Sequence, residues 1–140
     1  MNQTGYSMAI GGIGEDLAEA HLRNKGWRVL ARNYRVRGGE LDIVGFRSGV
    51  LAFFEVKTRT TSTFGTPAEA VDVEKIAHMR RAINEFRRAH LRNGKIPVFY
   101  PARVTLRRRV RELRIDVIEV YLSRDGKAEK INHIEGIETL

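Results

Sequence analysis

Three residues in one short stretch have the types and spacing to do chemistry: Asp42, Glu55 and Lys57. They lie in two β-rich runs, 40–47 and 50–58, joined at Ser48-Gly49, a pair suited to a two-residue hairpin turn. With that turn Arg47 faces Val50, and every facing pair of residue numbers sums to 97. Asp42 then lies opposite Glu55, and Glu40 opposite Lys57. Facing repeats every two residues along a strand, so all four side chains share one face. Facing Cβ atoms on antiparallel strands are about 5 Å apart. Two carboxylates there repel by roughly 3 kcal/mol at an effective dielectric of about 20. A shared proton, a nearby cation or a bound metal ion relieves that repulsion. The chain has no cysteine, so the site is a hard oxygen site, suited to Mg²⁺ or Mn²⁺ rather than Zn²⁺. An ammonium at Lys57 can stabilise the charge that develops on a phosphate under attack. The same spacing also fits a cross-strand salt-bridge ladder of Glu40 and Lys57 with Asp42 and Glu55 alongside, and spacing alone leaves both readings open.

The elements that must position these residues are legible as an order. Residues 13–25 read as a helix, with Ile13, Leu17, Ala20 and Leu22 near one face and Gly26 as its stop. Residues 27–34 alternate like a strand, and Gly38-Gly39 is a turn. After the hairpin, residues 58–67 form a Thr/Ser-rich loop. A long helix follows over about 73–92, with Asp72 as N-cap and Ile76, Met79, Ile83, Phe86 and Ala89 as its core positions. Residues 95–112 fit a strand or a loop, since Pro97 and Pro101 disfavour a continuous helix. Residues 114–122 read as a strand, Asp125-Gly126 as a turn and 130–134 as a last strand. The order is α-β-β-β-α-β-(β), an α/β fold with a mixed sheet flanked by helices.

With 140 residues the chain has room for a single domain, 1–140, in which 1–10 and 135–140 are expected to be flexible ends. Neither a secretory signal nor an apolar run long enough to span a membrane is visible, so the expected location is cytoplasmic. The net charge is +8 and unevenly placed: residues 80–114 carry twelve basic and two acidic side chains, and 19 of all 25 basic residues are Arg. Arg presents a planar fork that matches phosphate oxygens. Such a segment points to a polyanion partner, most simply nucleic acid, although helical charge runs are also ordinary solvated faces. His21, His78, His90 and His133 are scattered and read as surface or core histidines. Tyr34 reads as a core ring, and Arg114 and Asp116 as a pair on one strand face.

Six blocks in order make the chain recognisable: Gly14-Glu15-x-x-Ala18, Asn33-Tyr34-Arg35, Gly39-Glu40-Leu41-Asp42, Phe54-Glu55-Val56-Lys57-Thr58-Arg59, Phe64-Gly65 and Arg114-Ile115-Asp116-Val117. Asp42, a hairpin and then Glu55-Val56-Lys57 resembles the pattern of the PD-(D/E)xK nuclease superfamily. The layout is most similar to Holliday-junction resolvases and, more specifically, to the YraN-type family of endonuclease-like proteins. The resemblance implies a restriction-endonuclease-like fold. It implies Asp42 and Glu55 as metal ligands, with Glu15 completing the metal site, and Lys57 as the catalytic lysine beside Glu15, Asp42 and Glu55. The resolvase-like layout also implies branched DNA as substrate and a homodimer. Two function classes follow. One is a Mg²⁺- or Mn²⁺-dependent nuclease acting on DNA; the other is a non-catalytic nucleic-acid-binding or adaptor protein on the same fold. In either, Arg35, Arg37, Arg59, Arg80, Arg81, Arg107, Arg108 and Arg109 are the expected phosphate contacts.

Overall fold

The computed structural model describes residues 3–60 and 72–140, with side chains from residue 10 onward. The loop expected over 58–67, including Phe64-Gly65, lies outside the described residues from position 61 on. The elements in chain order are α1 (Gln3–Asn24), β1 (Arg28–Val36), β2 (Gly39–Arg47), β3 (Val50–Thr60), α2 (Val73–His90), β4 (Lys95–Tyr100), β5 (Val104–Arg109), β6 (Glu112–Leu122) and β7 (Ala128–Thr139). Five strands form one mixed sheet in the order β1-β2-β3-β6-β7, and β4 and β5 pair separately as a hairpin. Strands β3 and β6 run parallel, with Phe54 beside Asp116 and Lys57 beside Glu119, while the other neighbours are antiparallel. The connection from β3 to β6 contains α2 and the β4–β5 hairpin, as a parallel pair requires a long crossover.

The hairpin that carries the site forms as its turn chemistry dictates. Ser48 and Gly49 have φ of 48° and 84°, the two positive values of a type I′ turn. The pairing runs from Arg47–Val50 to Ile43–Phe54 in the register read from sequence. The central strands are buried on both faces, so they read as near-continuous apolar runs rather than alternating ones. Ala52 and Phe54 of β3 join Ile43, Trp27, Ile118 and Val120 in a core with Ala18 and Leu22 of α1. Leu51 and Phe53 point the other way, into a core with Val44, Phe46, Ile115 and Met79, Ile83 and Phe86 of α2. The ring of Tyr34 packs edge-on against Phe86 with centroids 5.3 Å apart.

Two glycines let the helices reach the sheet. A Cβ on Gly39 would come within 2.5 Å of the His78 carbonyl oxygen and 2.8 Å of the Ala82 nitrogen, so β2 touches the backbone of α2. A Cβ on Gly14 would lie 1.9 Å from Thr58 Oγ1 and 3.0 Å from Thr58 Cβ, so α1 lies directly on β3. Gly14→Ala is therefore expected to destabilise the protein by about 1–3 kcal/mol through overpacking, despite Ala being the better helix former by about 1 kcal/mol. Thermal unfolding checks this, and a melting temperature raised by Gly14→Ala would show that α1 has room to move.

The structure departs from the sequence expectation at three places. Helix α1 starts at Gln3 rather than near 13; Gly11, Gly12 and Gly14 weaken the helical signal there. The stretch 95–112, open between strand and loop, holds the β4–β5 hairpin and the start of β6. A three-residue turn at Pro101–Arg103 reverses the chain, with Ala102 and Arg103 both at positive φ, left-handed rather than 3₁₀ backbone. Strand β7 extends well beyond 130–134, to Thr139. As an edge strand it is half solvated and lacks the apolar run that marks the central strands.

Candidate functional site

Beyond Ile43–Phe54 the two strands of the hairpin part. Strand β3 continues to Thr60 along β6, while β2 continues along β1 through Leu41–Tyr34 to Gly39–Val36. Asp42 sits at this fork. Its carboxylate accepts a hydrogen bond from the Val56 backbone N–H at 2.8 Å, in place of a main-chain partner. Asp42 and Glu55 are both buried, at 9% and 5% exposure. Sequence spacing placed Asp42 opposite Glu55, and the Asp42 charge does act on Glu55 here.

The Glu55 carboxyl is pushed up to about 7, first by burial and next by the negative charge of Asp42; Lys75 and Lys57 pull the other way. Its Oε1 lies 3.5 Å from Lys75 Nζ and 3.9 Å from Lys57 Nζ, while its Oε2 is buried with no hydrogen-bond partner. The salt-bridge ladder is not what forms. Glu40, expected opposite Lys57, instead pairs with Arg35 across β1–β2 at 3.4 Å, because the strands have already separated at that point.

Glu15 comes from α1, on the other side of the sheet. Burial and the Asp42 charge raise its pKa, against the pull of Arg32, whose guanidinium lies 3.5 Å away. Glu15 therefore stands within electrostatic reach of Asp42 but is held by Arg32. Among the described residues, no three His, Cys, Asp or Glu side chains are gathered tightly enough to hold an ion by themselves.

Two members of the site were not read from sequence. Lys75 reaches Glu55 because Asp72 caps α2, accepting from the Lys75 backbone N–H at 2.7 Å, and so fixes the first turn beside β3. A cation in a first turn opposes the helix dipole, and that misfit was the legible clue. Glu119 is buried at 4% exposure and lies beside Lys57 in the parallel pair, so their side chains share a face. It accepts from Asn132 Nδ2 at 3.0 Å and the Tyr121 hydroxyl at 3.3 Å.

The expected phosphate contacts do not form one stripe. Arg59 follows Lys57 on β3 and keeps Nε and one terminal nitrogen buried without a hydrogen-bond partner. Arg35 is tied to Glu40 and Arg80 to Glu138. Arg37 and Arg81 line a groove with Asn84 and Arg88 beside the β1–β2 turn, where Arg81 donates to the Gly38 carbonyl at 3.4 Å. Arg107, Arg108 and Arg109 lie on β5, and Arg108 and Arg109 line a second cavity with Ser48, Gly49 and Arg111 at the β2–β3 turn. The pair of Arg114 and Asp116 forms as expected and recruits His133, whose Nε2 lies 2.7 Å from Asp116.

Among the described residues no helix is long and apolar enough to cross a membrane. A family profile described as "Uncharacterised protein family UPF0102" matches residues 14–120. The chain is 42% identical over 130 residues to a UPF0102 protein of Alkaliphilus oremlandii, covering 90% of this chain and 94% of that one. It is 40% identical over 125 residues to one of Syntrophomonas wolfei, covering 89% and 93%. A third, from Mycolicibacterium vanbaalenii, is 36% identical over 137 residues, covering 98% and 99%. The matched span runs from the glycine that seats α1 on β3, through the fork and its carboxylates, to β6, and the chain belongs to the UPF0102 (YraN) family.

Proposed function

We propose that the protein is a metal-dependent nuclease that hydrolyses DNA phosphodiester bonds at the fork between β2 and β3. One observation carries the reading: Asp42 buries its charge beside Glu55, whose Oε2 is buried and unpartnered and whose pKa is pushed up to about 7. A shared proton or the Lys57 and Lys75 ammoniums can offset part of the repulsion between two such carboxylates, and a divalent cation bound between them would offset it most fully. The donor set is all oxygen, which suits Mg²⁺ or Mn²⁺. Asp42 and Glu55 would hold the ion, with Glu15, within electrostatic reach of Asp42 but paired with Arg32, as the further acidic group. When bound, such an ion polarises a phosphate and lowers the pKa of an attacking water.

The chain's own residues supply the rest. The Val56 N–H fixes one oxygen of Asp42, which sets the direction of the carboxylate. Lys57 and Lys75 converge on Glu55 from a strand and a helix. With the Glu55 carboxylate engaged by a bound ion, Lys57 and Lys75 would be free to face the non-bridging oxygens of a phosphodiester and stabilise the added charge of the transition state. Phosphate contacts by the Arg side chains would give affinity and salt dependence without sequence choice. Branched DNA as substrate and a homodimeric assembly rest on the resolvase-like layout.

The second reading is a non-catalytic nucleic-acid-binding or adaptor protein. The observation that favours it is the absence, among the described residues, of a third acidic group drawn in with Asp42 and Glu55. A cleavage assay separates the two. Purified protein is compared on single-stranded, duplex, flapped and four-way DNA in Mg²⁺, Mn²⁺ and EDTA, beside Glu55→Ala and Lys57→Ala. The expected result is metal-dependent cutting reduced at least 100-fold in either variant, the scale of losing an electrostatic contact to the transition state. Salt-sensitive binding without cutting in any metal would establish the second reading.

A further inference from the structure

The β4–β5 hairpin has two unlike faces. The pairs Ile96–Arg108, Val98–Leu106 and Tyr100–Val104 share one side, and there Ile96 and Val98 are buried in the α2 core. Arg108 lies over the Tyr100 ring at 6.0 Å on that same side. The pairs Lys95–Arg109, Pro97–Arg107 and Phe99–Thr105 therefore make the opposite, outer side. Phe99 is 70% exposed. A phenyl ring in the open, one row from Pro97 and Arg107 and two rows from Lys95 and Arg109, is an unusual use of a large apolar side chain. Neither strand contains an acidic residue. Among the described residues no ion pair engages Lys95, Arg107 or Arg109; Arg107 donates only to the Arg92 carbonyl, at 3.3 Å.

A flat exposed ring with cationic side chains one and two rows away along the same face of a two-stranded ribbon fits one ligand chemistry well. A base stacks on the ring, and the phosphates that run from it along the ribbon meet the cations. A duplex keeps its bases stacked on one another and offers the ring nothing but its groove and backbone. We propose that the outer face of the β4–β5 hairpin binds single-stranded nucleic acid, with Phe99 stacking on an unpaired base and Lys95, Arg107 and Arg109 on the adjoining phosphates. This deepens the nucleic-acid reading above and rests on it. The hairpin is separate from the fork: Arg108 and Arg109 lie by the β2–β3 turn, five residues along β3 from Glu55, roughly 17 Å at strand rise. The ribbon would hold an unpaired segment while the fork meets another part of the substrate.

Fluorescence anisotropy tests the proposal, with labelled oligo-dT, oligo-U and a duplex of equal length. The protein carries Glu55→Gln and the buffer contains EDTA, so cleavage plays no part. Phe99→Ala is expected to weaken single-strand binding about tenfold and duplex binding less than twofold, while Phe99→Trp keeps single-strand affinity. Arg107→Gln with Arg109→Gln should weaken both and flatten the salt dependence. The oligo-dT and oligo-U arms tell whether DNA or RNA is preferred. Unchanged single-strand binding in Phe99→Ala, or an equal loss on single strand and duplex, overturns the stacking face and leaves the nuclease reading standing. Polyglutamate competing as well as oligo-dT also overturns it, since the face would then read charge alone. No binding to any oligonucleotide overturns both.

Discussion

Glu55→Gln is expected to make the protein more stable at pH 8, by roughly 3 kcal/mol, when divalent ions are absent. The reasoning is a linkage argument. Burial and the Asp42 charge raise the Glu55 carboxyl from its ordinary value of 4.5 to about 7 in the folded protein. The folded state thus holds this proton more tightly than the unfolded state does. Stability from the group is fully present below about pH 4.5 and is lost as pH rises through 7. Attraction to Lys57 and Lys75 is already inside that balance and does not reverse it. Glutamine resembles the protonated form and carries no charge to repel Asp42. Urea unfolding in EDTA at pH 5 and pH 8 checks this. Wild type should lose stability across that interval, and Glu55→Gln should lose much less. A Glu55→Gln protein less stable than wild type at pH 8 would mean that the two ammoniums already compensate the carboxylate, and the case for a cation at the fork would fall with that result.

Asp116→Ala is expected to cost about 3–5 kcal/mol, the loss seen when one partner of a buried charge pair is removed. Asp116 is fully buried and accepts from Arg114 Nε at 2.9 Å, the Gly136 N–H at 2.8 Å and, in the tautomer or charge state that donates, His133 Nε2 at 2.7 Å. Truncation leaves the Arg114 guanidinium, itself largely covered and 5.7 Å from the Trp27 ring, with only the exposed Glu135 carboxylate at 3.6 Å as an acidic partner among the described residues. It also frees the bulged segment of β7 at Gly136. Burial alone would raise the Asp116 pKa, but the hydrogen bonds from His133, Gly136 and Arg114 outweigh it and hold it below its ordinary 3.8. Its contribution is therefore present above about pH 4 and fades only as pH falls through that lowered value, the opposite sense to Glu55. Trp27 is the only tryptophan and packs against Phe54, His133 and Arg114, so its fluorescence reports the loss directly. An Asp116→Ala protein within 1 kcal/mol of wild type, a limit well below the expected loss, would show that Glu135 alone suffices for Arg114.

These two carboxylates show what the sequence could and could not convey. A hairpin register follows from turn chemistry and alternation, both local, so the Arg47–Val50 pairing was readable; the strand pairing ends at Ile43–Phe54, one residue short of Asp42 and Glu55, which still interact electrostatically. The pairing of Arg114 with Asp116 was readable for the same reason. The fork was not, because it arises where β2 keeps β1 and β3 keeps β6, a choice made by long-range packing. For that reason Glu40 was assigned Lys57 and found Arg35. Lys75 was hidden because it lies far from Glu55 in sequence, on a helix whose placement depends on Gly39 admitting α2 to the sheet. His133 reached Asp116 only through β7, an edge strand with little apolar signal. The phosphate contacts were read from charge density along the chain. The fold distributes them over strands β1 and β3, the β1–β2 turn, helix α2 and the β4–β5 ribbon, so a linear run of Arg did not translate into a linear surface.

Calorimetric titration of the metal-free protein with Mn²⁺ at pH 7.5 tests most directly whether the fork holds a divalent cation. Asp42→Asn and Glu55→Gln serve as the two comparisons, each keeping the shape of the side chain it replaces. The expected result is saturable binding in wild type that is lost or weakened at least tenfold in both variants, with thermal stability of wild type rising as Mn²⁺ is added. Mn²⁺ binding that is equal in all three proteins, or absent from wild type, would contradict it.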